Sequence, residues 1–174
     1  MKIANLHSML NKFIDNTKIS VLVIVSMFIV FCHGCSERVE VFYPSFDEII
    51  QKGEVARGWI PEFLPTSSAD IFLFHYIDAP VTWCAFKFSN DALENFRDNL
   101  GVEIYVLPHD IKQIKHPKLS WWPEFLSNNL DVKEINKHGF SLYVTEEQIS
   151  RKEIKAVLFA IDWKMCRGFF YRAP

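Results

Sequence analysis

The sequence predicts a single α+β domain with a mainly antiparallel sheet and two or three short helices. Two observations carry this. Apolar runs around residues 71–77 and 81–88 flank the turn residues Asp78-Ala79-Pro80, the pattern of an antiparallel hairpin. Three further strand-like runs, "GFSLYVTEE", "IKAVLFAIDW" and "RGFFYRA", follow one another through polar turns near the C terminus. The predicted order is helix, two strands, helix, strand, an irregular middle and three strands, which is an α+β arrangement.

The elements follow in order. Tyr43-Pro44 disfavours helix before it, and "SFDEIIQK" then opens with Ser45 and places Glu48 three residues later. That is a capping box, and it predicts a short helix from about Phe46 to Lys52, ended by Gly53. In the second strand of the hairpin, Trp83, Ala85 and Lys87 share one face while Cys84, Phe86 and Phe88 share the other. "SNDALENFRDNLG" is the clearest helix: Ser89 or Asn90 caps it, and Asp91 suits the positive end of the dipole. Leu93, Phe96 and Leu100 fall on one side, and Gly101 stops it. "VEIYVLP" is predicted as a short strand. Between His109 and Lys137 the only predicted element is a helix at "PEFLSNNL".

The first 34 residues differ from the rest. Lys2, Lys12 and Lys18 stand against Asp15, and the uncharged apolar run Ile19–Cys32 leads to "HGCSER". Charged leader, apolar core and small polar exit are the parts of a secretory signal. The run is shorter than the ~20 residues a spanning helix needs. The end of this segment resembles the lipobox of bacterial lipoproteins, with Cys35 as the lipidated residue, although Cys32 stands where the pattern wants an aliphatic side chain. The resemblance implies residues 1–34 as a cleaved signal, residues 35–174 as one extracytoplasmic domain, and a membrane partnership through the lipid anchor. Ser36 after the cysteine favours the outer membrane by the same resemblance. An uncleaved N-terminal anchor is the alternative.

Without the leader's three lysines and one acid, the chain's 19 basic and 21 acidic residues become 16 and 20. No basic stretch exceeds a pair, so a nucleic-acid partner is not expected. Cys84 and Cys166 either pair across a loop of about 80 residues, worth ~4–5 kcal/mol in the chain-entropy model, or stand as separate thiols. The sequence leaves both open.

Sequence patterns for chemistry are sparse. There is no Gly-rich phosphate loop and neither the HExxH nor the GxSxG pattern. His109 and His116, seven apart, would span about 10 Å along a helix and are read as solvated. His75 lies near Asp70 and Asp78 in sequence, but the three do not share a strand face. No catalytic residue, metal or cofactor is predicted. Asp162 is expected to ion-pair with Lys164 or Arg167, or to cap a turn.

Two stretches share Pro-Glu-Phe-Leu after a tryptophan: "RGWIPEFLPTSSADI" from Arg57 and "SWWPEFLSNN" from Ser120. The first is expected to be a single turn leading into a strand, the second a helix start at Pro123. Trp121, Trp122, Arg57 and Trp59 are the candidate partner-binding residues, because tryptophan in loop-like sequence suits hot spots. "RGWIPEFLP" followed by "SSADI", together with the tail "LFAIDWKMCRGFFYR", resembles small uncharacterised bacterial lipoproteins over about a third of the chain. The resemblance implies a lipoprotein of one domain and brings no activity with it. The expectation is therefore a non-enzymatic, membrane-anchored envelope protein that binds a macromolecular partner, in the manner of an immunity or inhibitor protein. The alternative is a periplasmic enzyme acting on cell wall or glycan.

Overall fold

The computed structural model describes residues 38–79, 81–107, 113–150 and 153–172. The predicted signal, the lipobox-like end with Cys35, and His109 lie outside them. Eight strands and three α-helices are present among the described residues: β1 (Arg38–Ser45), α1 (Phe46–Lys52), β2 (Ala69–Tyr76), β3 (Thr82–Lys87), α2 (Leu93–Leu100), β4 (Gln113–Ile114), β5 (Asn128–Asn129), α3 (Val132–Lys137), β6 (Ser141–Ser150), β7 (Glu153–Asp162) and β8 (Arg167–Arg172). Six strands form one fully antiparallel sheet in the order β1-β2-β3-β8-β7-β6, and β4 and β5 form a second, two-stranded one. This is the predicted α+β fold. Among the described residues no helix is long and apolar enough to cross a membrane.

Alternation along the strands sorts the core into two layers. One face of the large sheet presents Ile71, Leu73, Cys84, Phe86, Phe159 and Phe170, and Ile49, Ile60, Leu64, Phe96 and Leu100 cover it. The opposite face presents Phe74, Trp83, Leu142, Leu158 and Tyr171, covered by Ile114, Trp122, Leu126, Ile135 and Phe140. We call these the α1–α2 face and the α3 face. Each fully buried Phe or Leu contributes roughly 1.5–3 kcal/mol by leaving water. The predicted split of β3, with Cys84, Phe86 and Phe88 opposed to Trp83, is the split observed.

Helix α1 forms as the capping signal required. Ser45 Oγ accepts the Glu48 N–H at 3.4 Å, and Gly53 closes the helix at φ +74°. In α2, Phe96 and Leu100 are buried and Leu93 packs beside them, with Gly101 following at φ +76°. The Ser89 side chain does not cap the α2 region through the backbone; its hydroxyl bonds Asp91 instead.

The structure differs from the predicted order in four places. First, "RVEVFYPS" is the edge strand β1, where Pro44 costs little because an edge strand need not donate on its open side. Second, "VEIYVLP" makes only an isolated bridge, Glu103 opposite Tyr143, with Ile104 N–H bonded to Leu142 O at 2.8 Å. Val102, Tyr105 and Val106 point outward, so the run has too little core contact to extend the sheet. Third, "PEFLSNNL" is a 3-10 turn at Glu124–Leu126 that gives way to β5: Ser127 is extended and Asn128 takes φ +58°, a left-handed value asparagine tolerates. Fourth, α3 stands where an irregular segment was expected. Asp131 caps it by accepting the Lys133 N–H at 2.8 Å.

The two Pro-Glu-Phe-Leu stretches adopt one solution. Leu64 N–H bonds Pro61 O at 3.2 Å, and Leu126 N–H bonds Pro123 O at 3.1 Å. In both, the Glu is exposed, the Phe half-buried and the Leu buried. Leu64 seals the α1–α2 face and Leu126 the α3 face. The same one-turn plug is used once on each side of the sheet.

Candidate functional site

Two places concentrate unusual chemistry. The first is a buried polar row on the α1–α2 face. His75, Thr82 and Arg172 are direct cross-strand partners on β2, β3 and β8, so their side chains share one face. The loop after α1 closes over them: Trp59 stacks on His75 with centroids 3.9 Å apart, and Gly58 O accepts from Arg172 Nη1. Glu54, buried in the same loop, accepts from the Tyr43 hydroxyl at 2.5 Å and pairs with Arg57 at 2.7 Å. Arg57 also donates to Lys52 O at 2.8 Å. Burial first, then the Glu54 bond, pushes the Tyr43 hydroxyl well above its ordinary pKa. Burial pulls His75 below its ordinary value, and the charge of Glu54 opposes that shift. Among the described residues, Glu54 Oε2, His75 Nδ1 and Thr82 Oγ1 are buried without a hydrogen-bond partner. Such orphaned atoms cost about 1–3 kcal/mol each.

The second place is an open apolar groove of about 430 Å³ on the α3 face, beside the edge strand. Phe42, Phe72, Phe169 and Trp121 line it. Phe42 and Phe72 touch with centroids 4.9 Å apart, and Trp121 lies over Phe72 at 5.9 Å and 28°. Trp121 Nε1 is held by Glu40 at 3.1 Å, which fixes the indole across the strands. The rim is charged. Lys87 pairs with Asp70 at 2.8 Å, and Arg167 pairs with Asp162 at 3.0 Å. Asp162 also accepts the Met165 N–H at 3.0 Å, so it both ion-pairs and caps the β7–β8 turn, as expected.

The four candidate tryptophan and arginine residues are not brought together. Trp121 belongs to the groove. Trp122, next to it, is buried, with Nε1 bonded to Leu126 O at 3.2 Å and to Ser127 Oγ at 3.1 Å, so it is a core residue and not a contact for a partner. Trp59 packs against the α1–α2 face, opposite Trp121. Arg57 is exposed but tied to its own loop. The groove's other walls, Phe42 and Phe72, went unpredicted. Their signal was present: Glu40 and Phe42 alternate with Val39 and Val41, marking a strand whose outer face carries an aromatic.

The other predicted groups resolve simply. Cys84 and Cys166 are free thiols, which corrects the bridged alternative. Phe88 N–H bonds Cys166 O, and Cys84 lies four residues back along β3, roughly 13 Å away at ~3.3 Å per residue. A disulfide needs Cα atoms within about 7 Å. Cys166 Sγ instead contacts Asn90 Oδ1 at 2.8 Å. Asp70 is committed to Lys87 at the surface while His75 is buried beneath Trp59, so the two form no pair. His116 Nδ1 accepts the Lys118 N–H at 2.8 Å.

A family model described as YbbD head domain matches residues 37–87, less than half of the chain. The match runs from β1 to the end of β3. It therefore contains Tyr43, Glu54, Arg57, Trp59, His75 and Thr82, and Phe42 and Phe72 of the groove. No curated protein and no solved structure matches the chain.

Proposed function

We propose that this chain is an envelope lipoprotein, anchored through Cys35, whose domain binds a protein partner in the manner of an immunity or inhibitor protein. The observation that carries the reading is the Trp121 groove. It joins an apolar floor to a rim of ion pairs, the anatomy of a binding interface. Phe42 stands about half exposed in it, at 49%, and an aromatic so placed favours a partner that covers it. The partner is basic, because the excess of acidic over basic residues beyond the leader steers a positively charged protein toward it. Ser36, directly after Cys35, supports the outer membrane as the site of anchoring.

The test compares detergent extracts of envelopes carrying the full chain, wild type or with Trp121→Ala or Phe42→Asp. A basic protein that co-purifies with wild type and is lost from both variants is the expected result. Recovery of the same proteins in equal amount from all three would reject the groove as the contact. Replacing Cys35 by Ser and labelling with radioactive palmitate tests the anchor separately: labelling should vanish, and unchanged labelling would reject the lipoprotein assignment.

A further inference from the structure

The 62–67 loop runs against the flank of α2 and leaves a cleft of about 330 Å³ between them. This cleft lies on the α1–α2 face and belongs to neither place described above. Asn95 and Asn99 of α2 line one wall at a spacing of four, one above the other on the helical surface, and Asp91, in the short 3-10 turn Asn90–Ala92 that precedes α2, stands beside them. Glu62 and Ser67 line the other, and the half-buried ring of Phe63 adds an apolar patch. Several of these side chains are already held in place. Asn99 Nδ2 donates to Asn95 O at 2.8 Å, Ser67 Oγ accepts the Ser89 N–H at 3.3 Å, and Asp91 accepts from the Ser89 hydroxyl.

We propose that this cleft binds a saccharide, taking a neutral or amino sugar. The argument is one of donors and acceptors. A sugar hydroxyl donates and accepts at once. Carboxylate oxygens of Glu62 and Asp91 accept, the Asn95 amide does both, and the Ser67 hydroxyl donates. The Phe63 ring can lie against the C–H face of a sugar ring. No lysine, arginine or histidine is among the described residues lining the cleft. Two carboxylates without a cation repel uronic acids and sugar phosphates. A lone ammonium would be served by the carboxylates and would leave the amide wall unused. The volume sits at the small end of the range for ligand clefts.

The test uses the full ¹⁵N-labelled chain in detergent micelles. It is titrated with the trisaccharides of N-acetylglucosamine, glucosamine and galacturonic acid, and with spermidine. At least one of the first two should shift the Asn95 and Asn99 side-chain amide signals saturably, with galacturonate the weaker sugar. Glu62→Gln and Asn95→Ala should each weaken that binding by about tenfold or more, roughly 1.4 kcal/mol, with signal dispersion unchanged. Three outcomes overturn the proposal: no saturable shift with either sugar, binding by both variants as tight as by the wild type, or spermidine binding more tightly than both sugars.

Discussion

The Trp59 indole lies nearly flat on the His75 imidazole, with ring centroids 3.9 Å apart and planes 20° from parallel. This contact joins the motif loop to the C-terminal end of β2, one strand in from the sheet edge. The facing groups are mixed in charge: Glu54 and Arg57 from the loop, Tyr43 from β1, Thr82 from β3 and Arg172 from β8. The ring is thus enclosed where adding a proton means burying a charge.

Stability should therefore fall in acid. The ordinary histidine value is 6.5, and burial holds His75 below it in the folded chain. Above 6.5 both states hold the ring neutral and its contribution is fully present. As pH drops below 6.5 the unfolded chain takes up a proton that the folded chain resists, so stability is lost until the lowered folded value is passed. The urea midpoint should decrease from pH 7.5 to pH 5. His75→Phe, which keeps the stack on Trp59, should flatten that decline. An equal slope in the variant would show that other groups carry it.

Gly168 makes a sharper packing prediction. It sits on β8 between Phe86 of β3 and Ile161 of β7. A methyl group there would meet Phe86 Cζ at 2.5 Å and Ile161 Cδ1 at 2.7 Å. Phe86 is itself wedged against Phe88 and Phe96, with little room to swing. Gly168→Ala should cost about 1–3 kcal/mol, the range for overpacking a filled core. Adding Phe86→Leu should recover part of the loss. Thermal melts of the single and double variants check both claims, and a neutral Gly168→Ala would contradict the packing described.

How much of this was legible depended on whether local pattern and burial agreed. Alternation in β3 separated Phe86 from Trp83 correctly because each face meets a full apolar layer. The α1 helix was legible because Ser45 and Glu48 sit at cap spacing. The same kind of signal marks α3, with Asp131 as cap, Glu134 in the first turn and Gly139 beyond. It was hidden by the prolines, lysines and tryptophans around it. "VEIYVLP" misled in the opposite sense. Its apolar run looks like a strand, yet only Ile104 bonds the β6 edge. The groove drew on residues 42, 72, 121 and 169, whose meeting is set by strand register and by no local spacing.

The adjacent tryptophans should behave in opposite ways. Trp122 is buried and its ring nitrogen is satisfied twice, so Trp122→Ala removes both a large apolar surface and the ties to Leu126 and Ser127. A loss of about 3–5 kcal/mol is expected, as for other buried aromatics. Trp121 rests on Phe72 at the groove and is only partly buried, so Trp121→Ala should cost far less stability. Denaturant titrations of the two variants give the comparison directly. Similar losses would place Trp121 in the core and remove it as a contact for a partner.

The two thiols of the domain should differ in the same manner. Cys84 is fully buried on β3, and burial pushes its thiol well above the ordinary value, so both access and thiolate are suppressed. Cys166 is partly exposed in the β7–β8 turn, beside Asn90. A maleimide added to the folded protein should label Cys166 and spare Cys84. In denaturant, with no reductant added, both should label, because no bond joins them. Peptide mass mapping distinguishes the two sites from Cys32 and Cys35. Resistance of both to labelling in denaturant until dithiothreitol is added would restore the disulfide. Equal labelling in the folded state would mean that β3 is far more open than its packing between β2 and β8 describes.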